Sequence, residues 1–225
     1  IYKDDFQAIG GHDPLYAPQS KEDSDIFNRF QLAGYETIQT WRGFVYHMTC
    51  RGSRFKDGAM RNPAGQVFMK GRESSEWLAQ NLRSTRNFIR KWGHFVMHDA
   101  LLTPIVPPKY NVGYVLLNGT EIIVNAIEPW CDNIYTDCDV SKYIENEQKN
   151  TLYNLSTRIL SLDAARPNDI IVTIDCNNFV DDDFIYIQKL SRIIQDSGTV
   201  GTFTLGNLKI EIKELNEYTK DLIKL

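Results

Sequence analysis

The chain has 225 residues, of which 42% are hydrophobic and 12% aromatic, and its formal net charge is −4. This composition is ordinary for a globular protein that buries an apolar core. No run of 18 apolar residues occurs, so the sequence predicts no membrane span. The acidic total argues against nucleic acid as a partner, as does the lack of any RRM, KH or zinc-finger pattern.

The four cysteines, at positions 50, 131, 138 and 176, form no C-x-x-C pair and complete no zinc-binding spacing. A chain of this size does not depend on disulfide bonds for its stability. We therefore expect reduced thiols and a cytoplasmic location.

Two short helices are predicted near the start of the chain. Asp4 to Ile9 forms the first and ends at Gly10-Gly11, a pair that would let the backbone approach a bound ligand closely. Asp25 to Ala33 forms the second, which is amphipathic and has Gly34 as its C-terminal cap.

An acidic cluster lies at the start of the second helix, where the helix dipole stabilises negative charge. It consists of Glu22, Asp23 and Asp25, and Arg29 lies four residues beyond Asp25, where it could orient the cluster by ion pairing or form a plain surface pair. The structural alternative for the cluster is a capping box made by Ser20 and Asp23.

Two short strands and a basic loop follow. The strands are predicted at Thr37 to Thr40 and at Phe44 to His47, and the loop carries Arg51 and Arg54. A carboxylate, a histidine and a basic loop suit the transfer of a group from a phosphate-bearing donor. The carboxylate would take a proton from the attacking hydroxyl, and the cations would stabilise the departing diphosphate.

The order of these residues resembles the acceptor half of the family 2 glycosyltransferases, which have the GT-A fold. The matching patterns are G-G-x-D at 10–13, E-D-x-D-x-x-x-R-x-x-x-x-G-Y at 22–35 and V-Y-H at 45–47. The resemblance is specific over residues 6 to 54, loose to about residue 105 and absent beyond.

The resemblance implies transfer of a sugar, with inversion, from a nucleotide-sugar donor to a hydroxyl of a carbohydrate or other acceptor. It makes Asp23 the catalytic base, with Glu22 its neighbour, and gives His47 a part in binding a divalent metal, Mn²⁺ or Mg²⁺. The residues expected to border the substrate are Gly10, Gly11, Asp13, Asp25, Arg29, Arg51 and Arg54.

In that family a nucleotide-binding half with a D-x-D motif comes before these residues, whereas here the Gly-Gly turn lies close to the start of the sequence. We therefore expect a fragment of a longer glycosyltransferase, inactive alone, whose uncovered sheet edge would favour a homo-oligomer.

The longest predicted helix runs from Ser74 to Trp92 and ends at Gly93. It belongs to the segment 42–91, which holds 11 basic and 3 acidic residues. This charge suggests a second function, a non-catalytic binding or oligomerisation module in which the basic segment contacts a polyanionic partner. The structural alternative is a solvated helix face.

The proline-rich stretch from Leu102 to Lys109 is the predicted domain boundary. It would separate a GT-A-like part, residues 1–105, from an accessory α+β domain of about five strands, residues 106–225, so that the fold class is α/β to α+β. The predicted elements of the second domain are a hairpin of Tyr114–Leu117 and Glu121–Ile127 around Asn118-Gly119, a loop at Glu128–Asp139, helical stretches in Ser141–Leu160, a strand at Asp169–Asp175, a helix at Asp182–Ser197, a hairpin of Thr202–Leu205 and Leu208–Ile212, and a helix at Asn216–Leu225.

One motif in this second domain resembles a metal-binding D-x-D site. Asp175-Cys176-Asn177 follows an apolar strand, and Asp181 to Asp183 follow soon after. Because a donor motif should precede Asp23, and because acidic residues also favour helix N-termini, we expect no metal there.

Overall fold

The structure is a computed structural model and describes residues 1–38, 40, 42, 59–61, 67–69 and 75–224. It is a mixed α/β protein whose principal sheet has six strands, most of them parallel. A separate antiparallel pair is formed by β1 (Ala59–Arg61) and β2 (Val67–Met69). Within the described ranges, every helix is too short or too polar to cross a membrane.

The N-terminal part is helical. Its elements are α1 (Lys3–Ala8), a 3₁₀ turn (Pro14–Tyr16), α2 (Glu22–Leu32) and α3 (Ser75–Trp92). The predicted C-cap of α2 is confirmed, since Gly34 has a φ of 86°. The amides of Gly34 and Tyr35 donate to the carbonyls of Gln31 and Phe30, which satisfies the last carbonyls of the helix.

Two local predictions in this part are wrong. The N-cap of α2 is Lys21 at a φ of 75°, with no side-chain cap, because the Ser20 hydroxyl instead donates to Asn81 of α3 at 2.7 Å. Ser20 and Asp23 therefore form no capping box. In the described residues 37, 38 and 40 the chain pairs with no strand, and the predicted strand Phe44–His47 lies outside the described residues.

The six-stranded sheet has the order β5-β4-β3-β6-β8-β7. Its strands are β3 (Val112–Leu117), β4 (Asn133–Thr136), β5 (Ile159–Leu160), β6 (Ile170–Asp175), β7 (Gly201–Leu205) and β8 (Leu208–Ile212). The first four are parallel, and β7 and β8 are antiparallel to their neighbours. The chain runs outward from β3 to β5 and returns to β6 on the other side of β3. The connection therefore reverses direction between β3 and β6.

Helices connect and cover these strands. They are α4 (Glu121–Ile127), α5 (Ser141–Glu147), α6 (Leu155–Arg158) and α7 (Asp181–Ser197), with 3₁₀ turns at Glu128–Trp130, Gln148–Asn150 and Thr219–Leu222. The largest core cluster joins β3, β6 and β8 to α4 and α7. The strand β6 is apolar almost throughout because helices cover one face of it, while Leu160, Leu162 and Ala164 pack against Ile171 on the other.

The structure corrects the predicted arrangement of the second domain. Asn118-Gly119 connects β3 to α4 rather than turning a hairpin, and the Thr120 hydroxyl caps α4 by accepting from the Ile123 amide at 3.3 Å. The strand β4 lies in the predicted loop 128–139. In place of the predicted helix 216–225, the described residues 216–224 contain a single 3₁₀ turn. The second hairpin, at Gly206-Asn207, is confirmed.

A buried ion network joins α3 to the α/β sheet. Glu128 accepts from Arg90 at 2.6 Å, from Arg158 at 3.1 Å and from the Tyr143 hydroxyl at 2.9 Å. Glu147 pairs with Arg90 as well, at 2.5 Å. The predicted linker is also largely packed, since residues 107–109 are buried.

At the amino ends of the parallel strands, Asn168 connects three of them. Its amide donates to Asn111 at 2.6 Å and to Asn133 at 2.9 Å, and its oxygen accepts from the Tyr135 hydroxyl at 2.6 Å. A Cβ atom at Gly113 would lie 2.4 Å from that oxygen, so the Asn168 side chain occupies the space that a larger residue at 113 would need.

Candidate functional site

The first turn of α2 carries the two acidic residues predicted to be catalytic. Asp23 is exposed to solvent, and Glu22 is half-buried. The Oε2 atom of Glu22 is buried and has no hydrogen-bond partner among the described residues. Both carboxylates lie at the N-terminal end of the helix. The turn therefore presents one accessible carboxylate and one unsatisfied carboxylate oxygen side by side.

Asp25, one turn further on, is fully buried. One of its oxygens accepts from Arg29 at 2.8 Å, and the other accepts from Trp92 at 2.9 Å and from the Tyr16 hydroxyl at 3.3 Å. Lys91 pairs with that second oxygen at 2.7 Å. Burial, together with the neighbouring Asp25 charge, holds the pKa of Tyr16 well above its ordinary value.

Arg29 connects α2 to the Gly-Gly turn. Its guanidinium donates to the carbonyls of Ile9 and Gly11, each at 2.5 Å, and its side chain is fully buried. Asp25 and Arg29 thus have no surface open to a substrate in this structure, and their observed contacts are structural. The alternative that Arg29 and Asp25 form a plain surface ion pair is wrong, because both side chains are fully buried.

Asp13 has a structural role as well. One oxygen accepts from the Leu15 amide at 2.9 Å and caps the 3₁₀ turn, and the other accepts from Lys91 at 2.8 Å. Lys91 therefore bridges Asp13 and Asp25. Gly10 is exposed and Gly11 half-buried, with φ angles of 89° and 75° that suit glycine.

The structure thus brings the Gly-Gly turn, Asp13 and the acidic start of α2 into one N-terminal cluster. His47, Arg51 and Arg54 lie outside the described residues. No group of three His, Cys, Asp or Glu side chains within the described ranges could hold a metal ion. The metal that the resemblance implies therefore has no preformed set of ligands among the described residues.

A second polar cluster lies at the carboxyl edge of the sheet, where the parallel strands end. Asp175 at the end of β6 accepts from Asn118 and from Asn178, both at 3.0 Å. Burial, reinforced by Asp175, raises the pKa of the adjacent Cys176 thiol to about 11. This thiol is therefore protonated near neutral pH and is not an activated nucleophile.

The two clusters lie at opposite edges of the sheet. The amide of Lys109, just before β3, donates to the Thr219 hydroxyl at 2.8 Å, and the adjoining Ile223 packs against Ile26 of α2. The N-terminal cluster therefore adjoins the amino edge, while Asp175 lies at the carboxyl edge. Six residues of β3 separate these edges by about 20 Å.

In the described part of the basic segment, much of the positive charge is paired internally. Arg86 and Arg90 bond to Glu147, and Lys91 bonds to Asp13 and Asp25. Arg83 donates to the Ala17 carbonyl at 2.8 Å. These contacts hold α3 in place and leave this half of the segment with little charge free for a polyanion.

Sequence reasoning missed the residues that complete the Asp25 site. Trp92 lies 67 positions from Asp25 along the chain, and Lys91 beside it shows only as part of a basic run. The single available signal was the amphipathic pattern of α3, which places Trp92 on the buried face.

Searches of the chain against models of protein families, characterised proteins and solved structures find no match.

Proposed function

We propose that the chain is part of a glycosyltransferase that transfers a sugar from a nucleotide-sugar donor to an acceptor hydroxyl with inversion. The observation that supports this proposal is the first turn of α2, where exposed Asp23 adjoins the unsatisfied oxygen of Glu22. Arg29 fixes the Gly10-Gly11 turn to the same helix. The proposal includes a GT-A-like fold for the N-terminal part of the chain.

In the proposed reaction Asp23 accepts the proton of the acceptor hydroxyl as its oxygen attacks the anomeric carbon. The bond to the nucleoside diphosphate breaks in the same displacement, so the configuration inverts. Asp25 and Arg29 keep the turn rigid, which holds the base in one position relative to the acceptor. The donor would be held by residues other than those described around Asp23, including the basic loop of Arg51 and Arg54.

The test is Asp23→Asn in the complete natural protein that contains this chain, with Asp4→Asn as the matched exposed control. Loss of a general base should lower kcat about 10²- to 10⁴-fold, while the control keeps the wild-type rate. Release of nucleoside diphosphate measures the rate, and the anomeric proton coupling of the product establishes the stereochemistry. Wild-type turnover by Asp23→Asn, or retention of configuration, would refute the proposal.

A second candidate function concerns the α/β sheet itself. In open parallel sheets, ligands bind outside the carboxyl ends of the strands where the connection reverses direction, and nucleotides are the commonest such ligands. Here the reversal lies between β3 and β6, where Asn118 meets Asp175, and Asp137 directly follows the adjacent strand β4. We propose that this edge of the sheet binds a nucleotide, with the acidic side chains accepting from ribose hydroxyls.

Backbone amide NMR of the chain during titration with UDP, GDP and dTDP, with and without Mg²⁺, tests this second candidate. Shifts should concentrate at residues 118, 137 and 175, and Asp175→Asn should abolish them. The matched variant Asp196→Asn, on exposed α7, should leave them unchanged. Shifts confined to residues 10–25, or none with any nucleotide, would count against this candidate.

The non-catalytic alternative, a module that binds a polyanion through residues 42–91, receives less support. The ion pairs of Arg86, Arg90 and Lys91 occupy the described half of that segment. Heparin affinity of the chain and of an Arg51→Ala, Arg54→Ala variant would show whether the remaining half acts in this way. If both proteins are retained equally on heparin, Arg51 and Arg54 do not contribute to polyanion binding.

A further inference from the structure

A cavity of about 360 Å³ lies where α3 meets the amino ends of β3 and β4 and the 3₁₀ turn Thr219–Leu222. Its volume is within the range of small-molecule sites, which is about 300 to 1,000 Å³. The cavity belongs neither to the acidic turn of α2 nor to the carboxyl edge of the sheet. Its walls combine charged groups, amides and three tyrosine rings.

Lys109 supplies an ammonium group with unused hydrogen-bonding capacity. The residue is 8% exposed, and its backbone amide is fixed by the Thr219 hydroxyl. Within the described part of the chain, the one ion pair of Nζ is with Asp132 at 3.4 Å, and Nζ makes no hydrogen bond. Because an ammonium carries three donors, Lys109 has donors left for a ligand in the cavity.

Charged groups of both signs line the cavity. Lys91 is neutralised by Asp13 and Asp25, and Arg90 by Glu128 and Glu147. The remaining charged groups of the wall are Lys109, Asp132 and Asp221. A free anion would meet the two carboxylates, and a cation would meet the lysine. A neutral ligand with several hydroxyl groups can both accept from Lys109 and donate to Asp132.

The three tyrosines supply flat apolar surface. Tyr110 is buried, Tyr153 and Tyr218 are half-buried, and all three line the cavity. The Tyr218 hydroxyl donates to Asp169 at 2.9 Å, and the Arg158 guanidinium lies 5.1 Å from the centre of the Tyr153 ring. These contacts fix the rings of Tyr218 and Tyr153. A rigid aromatic face beside charged hydrogen-bonding groups matches the two surfaces of a pyranose, its C–H face and its hydroxyl rim.

We propose that this cavity is a binding site for a neutral sugar ring. Lys109 donates to a ring hydroxyl, Asp132 accepts from its neighbour, and the tyrosine rings pack against the C–H face. The inference does not rest on catalysis by Asp23. The site is nevertheless close to α2, because Lys91 in its wall bonds directly to Asp25, two residues beyond Asp23.

Saturation-transfer NMR of the chain with glucose, glucuronate and glucosamine, three rings of the same size that differ in charge, tests the proposal. Glucose and its neutral disaccharide cellobiose should receive saturation, and both charged rings should bind more weakly. Lys109→Met and Asp132→Asn should each weaken binding of the neutral sugar at least about tenfold. The matched variants Lys189→Met and Asp196→Asn, which are exposed on α7, should bind as the wild type does.

Circular dichroism and thermal unfolding of every variant separate a lost site from a lost fold. Asp132→Asn keeps an oxygen for the Val112 amide, which donates to Asp132 at 2.9 Å, so this variant should fold. Failure of the folded wild type to bind either neutral sugar would overturn the proposal. Binding that survives both Lys109→Met and Asp132→Asn, or that favours glucuronate or glucosamine, would overturn it as well.

Discussion

Asp25 shows how one buried charge can organise a site without taking part in its chemistry. Its carboxylate holds together α2, the end of α3 and the 3₁₀ turn, through contacts with Arg29, Trp92 and Tyr16. The residue lies in the predicted catalytic motif, yet its lone pairs are taken by donors of the protein. The acidic motif at residues 22–25 therefore contains both an accessible carboxylate, Asp23, and a buried structural one, Asp25.

Replacing Asp25 by Ala should be strongly destabilising. The change leaves the Arg29 guanidinium buried without its ion pair and removes one of the two carboxylates that neutralise Lys91. Breaking a buried ion pair costs about 3–5 kcal/mol. Urea unfolding followed by circular dichroism measures the loss, and exposed Asp4→Ala is the matched control. A loss as small as that of the control would mean that the network contributes no net stability.

His94 should make the stability of the fold depend on pH. Burial, opposed by the bond to the Phe95 carbonyl and reinforced by nearby Lys109, lowers its pKa from 6.5 to about 4. Between these values the unfolded chain binds more protons than the folded one. Stability is therefore complete above pH 6.5 and falls as the pH drops towards 4, by about 3 kcal/mol.

Chemical denaturation at a series of pH values checks this expectation. His94→Phe keeps an aromatic ring in the pocket and removes the titrating group, so its stability should change less between pH 6.5 and 4. Exposed His98→Phe is the matched control and should keep the wild-type slope. Equal slopes in all three proteins would assign the acid sensitivity to another group.

At the scale of elements, the network around Glu128 fixes α3 to the sheet. Burial raises the pKa of Glu128, but Arg90, Arg158 and Arg86 outweigh it and hold the pKa below its ordinary value. Glu128→Ala would leave these guanidinium groups without their central anion. We expect a loss of about 3–5 kcal/mol, measured by urea unfolding.

Glu147→Ala is the comparison for that prediction. Glu147 also pairs with Arg86 and Arg90, but 13% of its side chain is exposed, so water can replace part of what is lost. Its substitution should cost clearly less than that of Glu128. The reverse order would place the centre of the network at Glu147.

Elements with strong local signals were predictable from the sequence. The helices α2, α3 and α7 have clear apolar periodicity, and Gly34 and Gly93 mark their ends, so the predicted bounds differ from the observed ones by three residues at most. The hairpin at Gly206-Asn207 also had a strong local signal, a Gly-Asn turn between two strand-like runs.

The errors have a common physical cause, which is that tertiary context overrides local preference. Asn118-Gly119 favours a hairpin locally, but Thr120 caps a helix behind it. The four residues of β4 form a strand because parallel neighbours lie on both sides of it. In the candidate site, the roles of Glu22 and Asp23 stay a prediction from their motif. The burial of Asp25 could not be predicted, because it depends on the distant residues Lys91 and Trp92.

At the scale of the whole molecule, the helical N-terminal part and the α/β sheet should unfold together. Buried contacts cross the predicted boundary through Glu128, and Lys109 is fixed by Thr219. Hydrogen exchange with mass spectrometry at low denaturant should show α3 and β6 opening with the same free energy. Earlier opening of α3 would instead make the sheet an independent unit.

The positions of the clusters also bear on how the proposed activities relate. Asp23 belongs to a cluster at the amino edge of the sheet, and Asp175 lies at the carboxyl edge. One substrate cannot contact both across a sheet about 20 Å deep. If both proposals hold, they describe two separate sites on one molecule, and substitutions at one should leave ligand binding at the other unchanged.

The packing of Gly113 against Asn168 has a consequence for the evolution of the chain. The Asn168 side chain fills the volume beside Gly113 and hydrogen-bonds to Asn111, Asn133 and Tyr135. A larger residue at 113 would therefore clash with Asn168, and loss of the Asn168 amide would leave Asn111, Asn133 and Tyr135 without this partner. In related sequences we expect a larger residue at 113 to occur together with a smaller one at 168. Such covariation would mark the sequences in which this hydrogen-bond network has been lost.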